Sequence, residues 1–130
     1  MVLDTSAIIA VLLGEATSDR LVTAVEADRV RLVSAGTVIE TSLVILGRFG
    51  EAGEPQLDRL LRSIGAEVVP VDEEQVAIAR DAALRFGRGR HPAALNFGDC
   101  FSYALAIARD EPLLFVGNDF TKTDVEVSKW

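Results

Sequence analysis

The sequence predicts an α/β domain, a parallel sheet covered by helices on both faces. Short apolar or β-branched runs at 2–3, 30–33, 66–71 and 113–116 alternate with stretches of helical length, the pattern of crossover-connected parallel strands. The chain has 130 residues, 49% of them hydrophobic, which suits one domain with a real core and leaves no room for two ordinary ones.

Each element has a local reason. Val2-Leu3 ends at Asp4-Thr5-Ser6, where polar side chains can cap a helix that begins near Ser6 and stops at Gly14. A second helix fits 17–27, with Leu21, Val22 and Val25 on one face. Residues 34–49 have helical length, with Val38, Ile39, Leu43 and Leu46 on an apolar side. Gly50, Gly53 and Pro55 mark a turn. Leu57, Leu60, Leu61 and Ile64 then repeat at i, i+3, i+4, i+7. A helix over 72–86 is expected to face Val76, Ala79, Ala83 and Phe86 inward. Gly87 to Pro92 reads as a basic loop. Asn96 can cap a helix running to about Arg109, with Phe101, Ala104, Leu105 and Ala108 buried. Gly117-Asn118-Asp119 is a turn, and 124–128 predicts a short final strand.

Composition restricts function. A formal net charge of −7 excludes a generic polyanion binder, because non-specific affinity comes from Lys and Arg meeting phosphates. If the chain handles nucleic acid, something must offset its negative field locally, and a divalent cation would do that. A lone cysteine, Cys100, rules out an internal disulfide and suits a reducing compartment. The apolar run from Ala7 to Leu13 is too short to span a bilayer, which needs roughly 20 residues. No basic segment precedes it, so a cytoplasmic protein with no membrane association is expected.

Four acids stand out on this map. In an open α/β sheet ligands bind beyond the carboxyl ends of the strands. Asp4 ends the first strand and Asp119 follows a later one. Glu40 lies inside an apolar helix and Asp99 in the first turn of another. Each has a purely structural explanation. Asp4 could be a cap, Thr37-x-x-Glu40 has capping-box spacing, Asp99 favours a helix dipole, and Asn118-Asp119 is ordinary turn chemistry. Together, however, unpaired acids at one edge would raise each other's pKa and cost stability unless a cation neutralised them. All the donors are hard oxygens, which favours Mg²⁺ or Mn²⁺ over a structural zinc. A carboxylate-held, water-retaining ion of this kind is the usual partner of phosphate substrates.

These segments resemble the VapC toxins, PIN-domain ribonucleases of bacterial toxin–antitoxin pairs. The resemblance runs through VLDTSAII at the start, Glu40 in its apolar helix, NFGDCFSYALA around Asp99, and LLFVGNDFTKTDV near the end. It covers essentially the whole chain as a single PIN domain over 1–130. It implies an α/β/α sandwich around about five parallel strands, of ordinary sheet size. It implies that Asp4, Glu40, Asp99 and Asp119 hold Mg²⁺ (or Mn²⁺), with Thr5, Ser6 and Asn118 orienting them and Asp124 behind. The implied reaction is endonucleolytic cleavage of RNA by activated water, leaving a 3′-hydroxyl and a 5′-phosphate and inhibiting translation and growth. The implied partners are RNA, a VapB-like antitoxin that covers a hydrophobic groove over 6–64, and a second copy in a homodimer. A basic antitoxin side chain could compete with the metal for the carboxylates.

Other residues carry weaker signals. Arg80, Arg85, Arg88 and Arg90, with His91 beside them, read either as an RNA-contacting patch or as a solvated helix end. Arg85, Arg88, Arg90 and His91 are the candidates for RNA contact, and His91 is expected to be exposed. Cys100 lacks a basic partner and is expected to be a buried small hydrophobe. Trp130 either packs on a partner surface or is disordered. Two other classes compete with a nuclease. An aspartyl-phosphate phosphatase built on Asp4 would want a second acid two residues on, where Ser6 stands. A phospho-accepting receiver would want paired acids after the first strand, and Asp4-Thr5-Ser6 supplies one.

Overall fold

The computed structural model describes all 130 residues. Four parallel strands form the sheet: β1 (Val2–Leu3), β2 (Leu32–Ser34), β3 (Glu67–Val69) and β4 (Leu113–Leu114). Their spatial order is β3-β2-β1-β4, with Val2 opposite both Leu32 and Leu113. Six helices surround it: α1 (Thr5–Leu12), α2 (Ser18–Ala27), α3 (Ala35–Phe49), α4 (Glu54–Ser63), α5 (Glu73–Phe86) and α6 (Phe97–Arg109). The period of two along each strand divides the core. Val2, Leu32, Val69 and Leu113 face one layer, with α5, α6 and Phe120. Leu3, Val33 and Leu114 face the other, with α1, α2, α3 and α4. This is the α/β/α sandwich that the alternating pattern predicts.

The strands are shorter than the sequence suggests, for identifiable reasons. The run 113–116 stops pairing after Leu114 because the Val116 N–H is taken by Ser6 Oγ at 3.0 Å. The run 66–71 ends at Val69 because Pro70 has no N–H for the ladder. The fifth strand expected at 124–128 reduces to one parallel bridge, Val127 to Leu113, on the outer edge of β4. The sheet therefore has four strands rather than five.

Two helices turn a different face inward from the one periodicity selects. On α5 Phe86 is buried as expected, but its buried companions are Gln75 and Ala82, while Val76 and Ala83 are exposed. On α3 the buried positions are Gly36, Thr37, Thr41 and Ile45, and Ile39, Leu43 and Leu46 of the apolar side are exposed. The polar inner face of α3 is satisfied by hydroxyl pairing. Thr37 Oγ1 and Ser102 Oγ of α6 lie 3.0 Å apart with both residues buried, and Thr41 donates to the Thr37 carbonyl at 2.8 Å. Buried hydroxyls are tolerated only when paired in this way.

α3 and α6 meet at a glycine. A Cβ on Gly36 would fall 2.4 Å from the Phe101 ring. Gly36→Ala is expected to destabilise the protein, since overpacking costs about 1–3 kcal/mol against the roughly 1 kcal/mol that Ala gains over Gly in a helix. Urea unfolding of the two proteins checks this, and an unchanged midpoint would show that Phe101 is free to move.

Candidate active site at the carboxyl edge of the sheet

β1 delivers Asp4 directly to the carboxyl edge, where it is the N-cap of α1. Its Oδ2 accepts from the Ser6 N–H at 2.9 Å and the Ser6 hydroxyl at 2.6 Å. Ser6 Oγ in turn accepts from Val116 N, so one hydroxyl ties the ends of β1 and β4 together. Asp4 is buried, and its Oδ1 has no hydrogen-bond partner. A buried carboxylate oxygen left open in this way needs an explanation, and an ion is one of the few.

Glu40 projects from the second turn of α3. Thr37-x-x-Glu40 is not a capping box, because the N-cap is Ser34, whose hydroxyl accepts from the Gly36 N–H. Instead Glu40 Oε2 accepts from the Thr5 hydroxyl at 2.6 Å, joining α3 to the start of α1. The carboxylate lies so close over Gly98 of α6 that a Cβ there would fall 1.8 Å from Oε1. Any side chain at 98 would displace Glu40.

Asp99 forms a capping box with Asn96, accepting from the Asn96 N–H at 2.7 Å while its own N–H donates to Asn96 Oδ1 at 3.0 Å. Its pKa is pushed up to about 6, first by burial, against the opposing Asn96 N–H, and then by the charges of Asp4, Asp119 and Glu40. Asp4, Asp119 and Glu40 thus lie near enough for their charges to act on Asp99. Asp119 is exposed in the short turn after β4, with Oδ2 4.0 Å from where a Cβ of Gly117 would stand. Gly117 has φ +115°, a backbone conformation that side chains disfavour.

The donor set is chemically suited to a hard cation, with carboxylate and hydroxyl oxygens and the open Oδ1 of Asp4. As the side chains stand, no three acids form a ready-made ligand cluster. Glu40 is held by Thr5 and Asp99 by the Asn96 N–H. The fit to a metal is therefore one of charge and donor chemistry.

The remaining candidates divide. Asn118 lies exposed in the same turn as Asp119 and caps it through its carbonyl, which accepts from Thr121 Oγ1 at 2.7 Å. Asp124 is engaged elsewhere, accepting from the Tyr103 hydroxyl and from Arg85. Burial raises its pKa, but those two hydrogen bonds outweigh it and hold the carboxyl below its ordinary value. Arg85 also pairs with Asp81, so it is not a free cation. Arg88 and Arg90 are exposed and outside every ion pair. His91 is half-buried rather than exposed, accepting from the Ala93 N–H through Nδ1 at 3.1 Å and packing edge-on against Phe86. Cys100 is buried, and burial followed by the Asp99 charge pushes its thiol up, away from nucleophilic thiolate. Trp130 packs at the rim of one core layer under Arg20. From the sequence, Gly98, Thr41 and Ser102 have no assigned role and Thr37 reads only as a cap; the approach of α3 to α6 reveals what they do.

A parallel sheet in three layers with acids gathered at its carboxyl edge defines a class, and the family model described as PIN domain matches residues 1–126. The chain belongs to the PIN-domain family, in its VapC branch. It is 49% identical over 125 residues to ribonuclease VapC30 of Mycobacterium tuberculosis, covering 96% of this chain and 95% of that protein. It is also 49% identical to ribonuclease VapC of Mycolicibacterium smegmatis, covering 96% and 97%. Among solved structures, Mycobacterium tuberculosis VapC20, described as a Sarcin-Ricin loop cleaving toxin, superposes with TM-score 0.77 at 19% identity, over 95% of both chains. Rickettsia felis VapBC2, bound to a DNA fragment from its promoter, superposes with TM-score 0.75 at 13% identity, over 97% of this chain and 94% of that one. At such identities the superpositions speak for the fold. No helix is long and apolar enough to cross a membrane.

The raised pKa of Asp99 has a signed consequence. The folded state holds its proton up to about pH 6, whereas the unfolded chain releases it near the ordinary value of 3.8. Between those values the folded state binds more protons, so this group makes stability fall as pH rises from about 4 to 6, after which the penalty is constant. Asp99→Asn keeps an acceptor for the Asn96 N–H and removes the charge. In chelator it is expected to be more stable than the parent by on the order of 1 kcal/mol at pH 7.5, with the gap closing toward pH 4. Thermal melts across that range test it, and a gap independent of pH would deny the upward shift of Asp99.

Proposed function

We propose that the chain is a Mg²⁺-dependent endoribonuclease, with Mn²⁺ able to substitute, and the toxin of a VapBC-type pair that inhibits translation and growth by cutting RNA. The observation that carries this is the gathering of Asp4, Glu40, Asp99 and Asp119 at one sheet edge, with an open buried oxygen on Asp4. The near-half identity to proteins named VapC ribonucleases supports it.

In this reading Asp4, Glu40, Asp99 and Asp119 hold the ion. When bound, such an ion makes water a nucleophile near neutral pH and offsets charge on the phosphodiester. The chain's own residues set the stage for that chemistry. Ser6 fixes the Asp4 carboxylate and leaves one oxygen free. Thr5 orients Glu40, and Gly98 leaves room for it. Such orienting contacts typically carry a ten- to hundredfold effect on metal affinity or activity. Attack by water on phosphorus with departure of the 3′ oxygen leaves a 3′-hydroxyl and a 5′-phosphate, with no role for the 2′-hydroxyl.

A VapB-like antitoxin is the natural inhibitor. A planar guanidinium would match the carboxylates, and the exposed row Ile39, Leu43 and Leu46 on α3 is apolar surface available to a partner chain or a second copy in a homodimer.

The test is incubation of purified protein and its Asp99→Asn variant with total cellular RNA, in Mg²⁺ and in EDTA. Discrete fragments are expected from the parent in Mg²⁺ alone, with cleavage at least about a hundredfold lower in the variant. Equal cleavage in the variant or in EDTA would sink the proposal. Thr5→Val is expected to lower the rate about tenfold, through the loosened Glu40.

A further inference from the structure

Positions on the inner side of a helix favour apolar side chains, yet Thr41 of α3 is fully buried. Its own helix does not need the hydroxyl. Thr41 Oγ1 donates to the Thr37 carbonyl at 2.8 Å, but in an α-helix that carbonyl already accepts the backbone N–H four residues on. A back-bond of this kind slightly destabilises a helix. Valine has nearly the same shape and would bring no hydroxyl to satisfy.

The hydroxyl has one partner outside α3. Thr41 Oγ1 lies 3.4 Å from Thr5 Oγ1 at the start of α1, as the donor of the pair. Thr5 in turn donates to Glu40 Oε2 at 2.6 Å. Chemistry fixes the direction of this relay. An ionised carboxylate only accepts, so the Thr5 proton goes to Glu40, and the Thr5 oxygen is left to accept from Thr41. At 3.4 Å the Thr41 contact is long and holds little energy of its own. Its effect is directional: the Thr5 hydroxyl has no other partner, and a proton pointed at its oxygen turns its own proton toward Glu40. Glu40 then has Thr5 on Oε2, while Oε1 lies over Gly98 of α6.

Thr37 and Ser102 provide the contrast. Their hydroxyls lie 3.0 Å apart, are as deeply buried as Thr41, and touch neither Thr5 nor an acid. They fill the contact between α3 and α6 and lead nowhere.

We propose that Thr41 is a positioning residue for the acidic edge: its buried hydroxyl directs the Thr5 hydroxyl onto Glu40 and so fixes the carboxylate that α3 contributes. The proposal rests on the reading of Glu40 as a ligand in a metal-dependent ribonuclease. Thr41 touches neither ion nor RNA, and it acts only through Thr5.

The test is calorimetric titration of Mg²⁺ into the protein without RNA, with thermal melts in EDTA to show that each variant is folded. Thr41→Val is expected to weaken binding about fivefold, inside the roughly tenfold loss expected of Thr5→Val. Thr41→Ala, which also lacks the hydroxyl, carries the same comparison, and Thr41→Ser, which keeps it, should bind as the parent does. In a Thr5→Val background Thr41→Val should cost nothing further, because residues that act through one shared partner do not add. Thr37→Val combined with Ser102→Ala should shift the melting temperature and leave Mg²⁺ affinity where it was. Unchanged affinity in Thr41→Val and Thr41→Ala overturns the proposal. So does an undiminished loss in the Thr5→Val background, or an equal loss in the Thr37→Val, Ser102→Ala protein, which would reduce the effect to general loosening of α3. The titration needs no turnover. Hydroxyl-dependent Mg²⁺ binding by a parent that cuts no RNA would sink the ribonuclease and keep the role of Thr41. Cleavage in Mg²⁺ by a parent whose Mg²⁺ affinity ignores Thr41 would do the reverse, and a parent that binds no Mg²⁺ sinks both.

Discussion

β1 and β4 end side by side, and one hydroxyl closes the gap between them. Ser6 donates to Asp4 and accepts from the amide of Val116, so the first helix, the first strand and the last strand are joined within a few ångströms. Much follows from that bond. It stops β4 short, it fixes the rotamer of a buried carboxylate, and it leaves that carboxylate one oxygen open. Helix α1 then carries Thr5 to Glu40, which brings α3 over the edge, and Gly98 lets α6 approach closely enough to bring Asp99 beside it.

The molecule accepts an electrostatic cost at this edge. Burying a carboxylate among others destabilises its charged form, as the upward shift of Asp99 records. Stability alone would favour uncharged residues there, because unpaired buried charge is among the more expensive features a fold can hold. The same logic separates the arginines. Arg85 is consumed by Asp81 and Asp124 and secures the outer side of α5 and α6. Arg80 and Arg88 form no ion pair.

Amphipathic helices carry two kinds of apolar face, and periodicity alone does not distinguish them. On α3 and α5 several large apolar residues (Ile39, Leu43, Leu46, Val76) point outward, while Gly36, Thr37, Thr41, Gln75 and Ala82 point in beside Ile45 and Phe86. Close approach explains the choice. α3 and α6 are near enough that a glycine and paired hydroxyls fill the contact, leaving no volume for Ile39 or Leu43. The displaced apolar stripes become surfaces: one on α3 beside Glu40, and one on α5 that forms a groove with Phe97.

The sequence by itself determined the layered α/β class and the order of the helices and strands, and it singled out four acids as candidates. Those features rest on local periodicity, on turn residues, and on the rule that ligands gather where parallel strands end. It did not determine the number of strands, because whether 124–128 pairs is settled by how much of β4 remains open beside it. It did not determine which helix faces are buried, or that Asp124 and Arg85 neutralise each other away from the edge. Nor did it single out Gly98 or Ser102, whose importance exists only where α3 meets α6. Pattern along the chain specifies which elements form. Contacts between residues far apart in sequence specify which of their faces meet, since only assembled neighbours can say what volume and what charge a position must accept.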